Sequence, residues 1–339
     1  MAIPTVSIDR LDELKALLAT PKKVVITTHY NPDGDAIGSS LGLSHYLRKK
    51  GHLTTVIAPN EYPKFLHWMP GNQEVILYDK SQPVAEQALK HADLIFCLDY
   101  NAPDRVKDLA KPLQEAEAPK MLIDHHLQPE SFTDFSLHTT QASSTAELVY
   151  DFIELMEDTE LIDYQMAACL YTGILTDTGS FQHASTTARV HEITADLMRQ
   201  GLDTFDIYDK IFNTASISRM RFFGHCWSNR MFVNAKVGYA IIEVSIKDQL
   251  RFHLQKGDTE GLVNTPLQID GIQASVLATE QEGYVKLSFR SKGDIDMNTF
   301  ARQYFNGGGH KNAAGGMEEA PLDKVIEKIK HTLPKYLQS

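Results

Sequence analysis

Short apolar runs at 24–28, 54–58, 75–78, 94–98 and 121–123 recur through the first part of the chain, with helical patterns at 36–50 and 83–91 between them. Strands that alternate with helices imply a mostly parallel, doubly wound sheet. From 144 the pattern turns helical, with apolar residues at three- and four-residue spacing in 144–155, 164–175 and 188–199. A mixed segment, 205–231, reads as a helical linker. Beyond it the texture changes to strand-like stretches at 237–244, 273–278 and 284–289, with helical patterns at 297–304 and 322–336. The expectation is an α/β fold: a doubly wound, mostly parallel sheet over 1–204, joined through 205–231 to a smaller α+β domain over 232–339. A length of 339 residues suits two domains.

Polar residues at the ends of these runs carry the chemistry. The run 24–28 leads into H-Y-N-P-D-G-D, which delivers His29, Asp33 and Asp35 around a Pro-Asp-Gly turn at the start of a helix. In open α/β sheets ligands collect at that edge. Asp99 ends the run 94–98, and Asp124, His125 and His126 end the run 121–123. Asp177 follows the apolar stretch 173–175, and it too is expected on the carboxyl edge of the sheet. Carboxylates alone suit Mg²⁺, whereas imidazoles shift the preference towards Mn²⁺ or another transition metal. The set exceeds what one ion needs, so a two-metal site follows, of the kind that clamps both oxygens of a phosphoryl displacement.

A second motif lies near the other end, in N-G-G-G-H-K-N-A-A-G-G, residues 306–316. A glycine run lets backbone N–H groups approach a phosphate, and His310 and Lys311 add charge-assisted donors. Asn306, Gly307, Gly308, Gly309 and His310 are therefore candidate anion ligands. Arg290, which ends the run 284–289, is a second candidate clamp for phosphate or base.

Charge and composition exclude several alternatives. The net charge of −11 is confined to residues 1–231, which hold 20 basic and 31 acidic residues; from Phe232 onward 13 face 13. No basic stripe of the kind that grips long nucleic acid is present. No window approaches the roughly 18 apolar residues of a membrane span. The first residues lack a basic segment followed by an apolar core, so no secretory signal is expected. Cys97, Cys169 and Cys226 lie far apart with no C-x-x-C pair, which fits a reducing cytoplasm.

Taken together, H-Y-N-P-D-G-D, Asp99, Asp124-His125-His126, T-D-T-G-S-F and G-G-G-H-K-N-A-A-G-G resemble the DHH phosphoesterase family with its associated C-terminal domain. The resemblance covers nearly the whole chain, in order. Two domains of this size look most like the NrnA-type branch, whose members degrade short oligoribonucleotides and dephosphorylate pAp (3′-phosphoadenosine 5′-phosphate). It implies two Mn²⁺, with Mg²⁺ or another divalent ion as the alternative in place of one. The positions matching His29, Asp33 and Asp99 would hold one ion, and those matching Asp35, Asp99, His125 and Asp177 the other. Asp124 would orient a histidine, and His126 would face the phosphate as the catalytic pair. Arg290 and the glycine motif with His310 would bind substrate.

Short RNA or a small nucleotide is the expected partner, with neither long duplex nor membrane; the oligomeric state is left open, a homodimer among the options. The nearest rival reading is hydrolysis of linear dinucleotides or cyclic di-AMP; the expectation that no sensory or membrane domain precedes residue 1 disfavours its membrane-bound members but not soluble ones. Manganese pyrophosphatase or exopolyphosphatase ranks lower, since the resemblance gives those enzymes a basic Ser-Arg-Lys type motif where G-G-G-H stands. From another class, a non-catalytic nucleotide-binding subunit would typically lack ligand aspartates that this chain has.

Overall fold

The computed structural model describes residues 6–255 and 257–338. The chain divides into two compact units, the first ending at Thr214 and the second beginning at Ala215. Of the segment expected as a linker, the helix Thr204–Phe212 belongs to the first unit and Ile217–His225 to the second.

The first unit is built on six strands: β1 (Lys23–Thr28), β2 (Leu53–Ala58), β3 (Ile76–Leu77), β4 (Leu94–Leu98), β5 (Lys120–Asp124) and β6 (Phe135–His138). Every pairing is parallel and the spatial order is β3-β2-β1-β4-β5-β6. The chain winds outward from β1 in one direction, then returns to β4 and winds in the other. The switch point therefore falls between β1 and β4. Successive side chains alternate faces: Val24 and Ile26 enter one core, Val25 the opposite one with Ile95, Cys97 and Leu122. A sheet covered on both sides explains why these strands read as unbroken apolar runs. β6, with its pattern F-S-L-H, offered no such run and was not anticipated. The run at 75–78 ends early, because Tyr78 already belongs to the helix Tyr78–Lys90.

Two helices on one face decide the geometry of the site. They are α1 (Gly34–Lys49), which follows β1, and α2 (Tyr164–Asp177). Gly34, Gly38 and Gly42 recur every fourth residue along α1 and abut α2. A Cβ at position 38 would lie 2.5 Å from the Cys169 carbonyl oxygen, and one at 34 would lie 2.4 Å from Thr176 Oγ1. At Gly38 the two backbones thus touch, while at Gly34 and Gly42 the side chains of Thr176 and Leu170 fill the space that a Cβ would need. Gly38→Ala should cost about 2 kcal/mol net, because overpacking against a fixed backbone oxygen outweighs the roughly 1 kcal/mol gained in helix propensity. A lower urea midpoint would register it, and an unchanged or raised midpoint would show that the helices part freely.

The second unit carries β7 (Met231–Asn234), β8 (Tyr239–Val244), β9 (Ala274–Gln281), β10 (Tyr284–Ser291), β11 (Gly308–His310) and β12 (Ala313–Glu318) in the order β11-β12-β10-β9-β8-β7. Only β8 and β9 pair in parallel; the other pairs are antiparallel. One face packs on the helices Met297–Tyr304 and Leu322–Leu337 through Phe289, Phe300 and Ile329. Phe222 and Leu262 join Ile242 and Leu277 in a second core. The glycine run, which lies between two helical patterns, forms a hairpin of β11 with β12. The reason is room: a Cβ at 307 would stand 2.0 Å from Gly315 O, and one at 309 would stand 2.6 Å from Ala313 O.

Candidate metal centre

The carboxyl ends of β1, β4 and β5 lie level, Thr28 opposite Leu98 and Leu98 opposite Ile123. The next residues, His29 and Asp99, emerge side by side at the switch point, where open α/β sheets form their crevice. Asp99 leaves its strand in a left-handed conformation, φ 64°, which costs an L-residue on the order of 1–2 kcal/mol. Its N–H donates to Ile123 O at 3.0 Å, so the turn is anchored to the neighbouring strand. Asn31 is also left-handed, φ 58°. Its N–H donates to Asn60 Oδ1 at 2.7 Å, and Asn60 Nδ2 returns a bond to Asn31 Oδ1 at 2.9 Å. That clasp fixes the loop on which His29 and Asp33 sit.

The structure gathers all eight anticipated residues of the first unit. His29 Nε2 faces Asp99 Oδ2 at 3.3 Å and Asp33 Oδ2 at 3.9 Å. His125 Nε2 faces Asp177 Oδ2 at 3.4 Å, Asp99 Oδ1 at 3.6 Å and Asp35 Oδ2 at 3.9 Å. Asp99 therefore turns one oxygen to each histidine. Asp177 reaches the group differently from expectation. It is the last residue of α2, so it comes from a helix end and not from a strand end. The apolar stretch before it is helix core, and the glycine contacts between α1 and α2 bring that helix end to the sheet edge.

This donor set fits divalent cations. His29 Nδ1 donates to Tyr30 O at 3.0 Å and His125 Nδ1 lies 3.4 Å from Ala142 O. With the proton directed there, each Nε2 is left to act as a ligand. Separations of 3.3–3.9 Å between the facing atoms exceed hydrogen-bond lengths. They are close to the ~3–3.5 Å expected between two ligands of one ion bound at roughly 2.0–2.2 Å.

The electrostatics point the same way. Burial pushes Asp35 well above the usual carboxylate range, and the charges of Asp99 and Asp177 add to the push. Asp177 is likewise raised by burial, with Asp33 and Asp99 contributing. Burial alone would lower His29 and His125, but Asp33 and Asp99 drive His29 well up, and Asp99 and Asp177 drive His125 to about 10. Carboxylates outnumber the cationic partners that the protein supplies.

Asp124 and His126 form a separate unit. His126 Nδ1 donates to Asp124 Oδ1 at 2.8 Å and its backbone N–H to Asp124 Oδ2 at 3.2 Å. That nitrogen, engaged by Asp124, also stands 3.6 Å from Asp99 Oδ1. His138, on the unanticipated β6, donates Nε2–H to His126 O at 2.7 Å and steadies the loop. Thr145, also unanticipated, touches both Asp35 and Asp99. The sequence S-S-T-A-E marks a helix start there, and Ser144 does cap the helix Thr145–Leu155. Nothing local links that cap to a carboxylate 110 positions away.

In the second unit, Ala313 pairs with His310 on one side and Arg290 on the other. All three side chains therefore share one sheet face, with Arg290 and His310 two strand spacings, or about 10 Å, apart. Small residues, Ser288, Gly315 and Gly308, form the next row of that face. Asn306 is exposed and left-handed, φ 46°. Two expected donors are already engaged: Gly307 N–H bonds Ala301 O and Gly309 N–H bonds Asn298 Oδ1. Lys311 pairs with Asp294 at 2.7 Å. Side chains rather than a backbone cradle are what this face offers an anion.

Cys97, Cys169 and Cys226 are free and buried. Among the described residues no helix is long and apolar enough to cross a membrane.

Residues 23–174 match the DHH family, N-terminal domain, and residues 234–338 match the DHHA1 domain. The bifunctional oligoribonuclease and PAP phosphatase NrnA of Thermus thermophilus is 30% identical over 319 residues, covering 93% of this chain and 90% of that protein. The crystal structure of an exopolyphosphatase-related protein from Bacteroides fragilis superimposes with a TM-score of 0.93 at 39% identity, covering 98% of each chain. The cyclic-di-AMP phosphodiesterase GdpP of Bacillus subtilis is 26% identical over 96% of this chain but 49% of its own length.

Proposed function

Because the chain belongs to the DHH phosphoesterase family, we propose that it is a manganese-dependent hydrolase that degrades short oligoribonucleotides to mononucleotides and converts pAp to AMP. The observation that carries the reading is the buried carboxylate of Asp99, shared between two donor groups. The substrate class is supported by a relative named for both activities that matches about nine-tenths of each chain. In this reading His29, Asp33 and Asp99 hold one Mn²⁺, and Asp35, Asp99, His125 and Asp177 the other. Mg²⁺ in place of one is compatible with the carboxylates.

When bound, such a pair lowers the pKa of water from 15.7 towards roughly 7 and offsets charge on phosphoryl oxygens. The protein's own groups do the rest. Asp99, locked in its left-handed turn, keeps the two donor groups in fixed relation. His29 and His125, their Nδ1 atoms directed at carbonyls, present Nε2 inward without rotamer search. Asp124 holds the proton of His126 on Nδ1, which leaves Nε2 to give or take a proton at the phosphoryl group. In the second unit Arg290 and His310 grip phosphate and nucleotide over a floor of small residues wide enough for a base or ribose.

The test is a parallel assay of the full chain with Mn²⁺ on a labelled dinucleotide, a five-nucleotide RNA, pAp, cyclic di-AMP, pyrophosphate and polyphosphate. Mononucleotide from the two RNAs and AMP from pAp are expected. Preferential turnover of pyrophosphate or polyphosphate would overturn the substrate class, and preference for cyclic di-AMP would favour the rival. Arg290→Ala and His310→Ala should each lower kcat/KM on dinucleotide and pAp by about 10²-fold, the scale of a lost positioning contact. Bis-p-nitrophenyl phosphate has no nucleotide to grip and should lose far less. Equal losses on both would place this face in the chemistry itself.

A further inference from the structure

The helix Thr145–Leu155 begins inside the carboxylate cluster, and its first residue touches two acids at once. Thr145 N–H donates to Asp35 Oδ2 at 2.6 Å, while Thr145 Oγ–H donates to Asp99 Oδ1 at 3.0 Å. Ala146 N–H donates to Asp35 Oδ1 at 2.8 Å. All three residues, Thr145, Asp35 and Asp99, are buried. Both oxygens of Asp35 are thus held by consecutive N–H groups of the helix start, where the dipole favours negative charge. Gly173, on α2, closes the other side: a Cβ there would lie 2.8 Å from Asp35 Oδ1 and 2.6 Å from Ala146 Cβ.

The two contacts differ in kind. The bonds to Asp35 come from the backbone and survive any substitution that keeps the helix. The bond to Asp99 comes from one hydroxyl. A carboxylate that bridges two groups can tilt about its Cβ–Cγ bond, and the tilt decides which oxygen faces which histidine. Here Oδ1 accepts from Thr145 and faces His125, which leaves Oδ2 to His29. We propose that Thr145 is a positioning residue: its hydroxyl sets the tilt of Asp99 relative to the helix-held Asp35, and so the spacing of the two ion sites. This rests on the two-ion reading above. Partners of metal ligands have effects of this size elsewhere, typically 10- to 100-fold in affinity or activity.

Thr145→Val removes the hydroxyl but keeps the branched shape and the backbone donor; Thr145→Ser keeps the hydroxyl. Mn²⁺ titration of the full chain, by calorimetry or chelator competition, reads the effect apart from turnover. The Val variant should stay folded, with a metal-free melting temperature lowered by the loss of one buried hydrogen bond, and should bind the weaker Mn²⁺ equivalent 10- to 100-fold less tightly. Turnover should fall at limiting Mn²⁺ and recover in part with excess. The Ser variant should bind within about threefold of the parent. Unchanged affinity in the Val variant overturns the role of Thr145. So does equal loss in the Ser variant, since the methyl group would then be what matters. If the parent itself binds fewer than two ions, the two-ion reading falls first and this role with it. Two ions bound without hydrolysis of any nucleotide would overturn the proposed activity and leave Thr145 in place.

Discussion

Asp99→Ala should abolish turnover of every substrate, with kcat/KM reduced by at least about 10³-fold. The size follows from its place. Loss of one oxyanion donor typically costs about 10²–10³-fold, and removing Asp99 strips an oxygen from both histidine-centred groups together. The variant should also lose bound Mn²⁺, measurable on the purified protein by elemental analysis. The left-handed backbone at this position is no easier for alanine than for aspartate, so Asp99→Asn is the better control for folding. It retains shape and local hydrogen bonding but removes the charge. Full activity with normal metal content in either variant would take Asp99 out of the site.

His126→Ala should separate chemistry from ligation. With Nδ1 engaged by Asp124 at 2.8 Å, the ring is arranged for proton transfer or oxyanion stabilisation rather than metal binding. The expected result is a fall in kcat of about 10²–10³-fold with the full metal complement kept. An ion lost along with the ring would make His126 a ligand and exchange its role with that of His125. Asp124→Asn should follow in the same direction, since an amide that turns its NH₂ towards the ring can no longer accept from His126 Nδ1.

The first-unit acids were legible because a parallel sheet places consecutive strand ends on one edge, and a sequence shows where apolar runs stop. His29, Asp33, Asp35, Asp99 and the Asp124-His125-His126 triplet follow from that rule. Asp177 was found for the wrong geometric reason. Its run of apolar residues is a helix packed against glycines, and short apolar runs do not distinguish strand from helix. Thr145 and His138 were missed because their roles are tertiary. A helix cap announces itself within four residues, but the acid it serves lies 110 positions earlier. The glycine run was seen as a place where backbone approaches a ligand. Steric reading of the hairpin adds that backbone also approaches backbone, and that the N–H groups of Gly307 and Gly309 are already engaged.

The contact between Asp35 and the helix start at Thr145 spans about half of the first unit, and that span has a kinetic meaning. Closing a loop of 110 residues costs more chain entropy than a local contact, and contacts of such long separation slow folding. A fragment that ends before Asp177 lacks one of the gathered carboxylates, so the complete cluster requires the chain through α2. The helix start gives both oxygens of Asp35 a donor, which keeps a buried acid from having no partner at all. A chain cut before Thr145 keeps Asp35 but loses both helix N–H groups that hold it, and loses Asp177 as well, so it carries acids without the complete cluster.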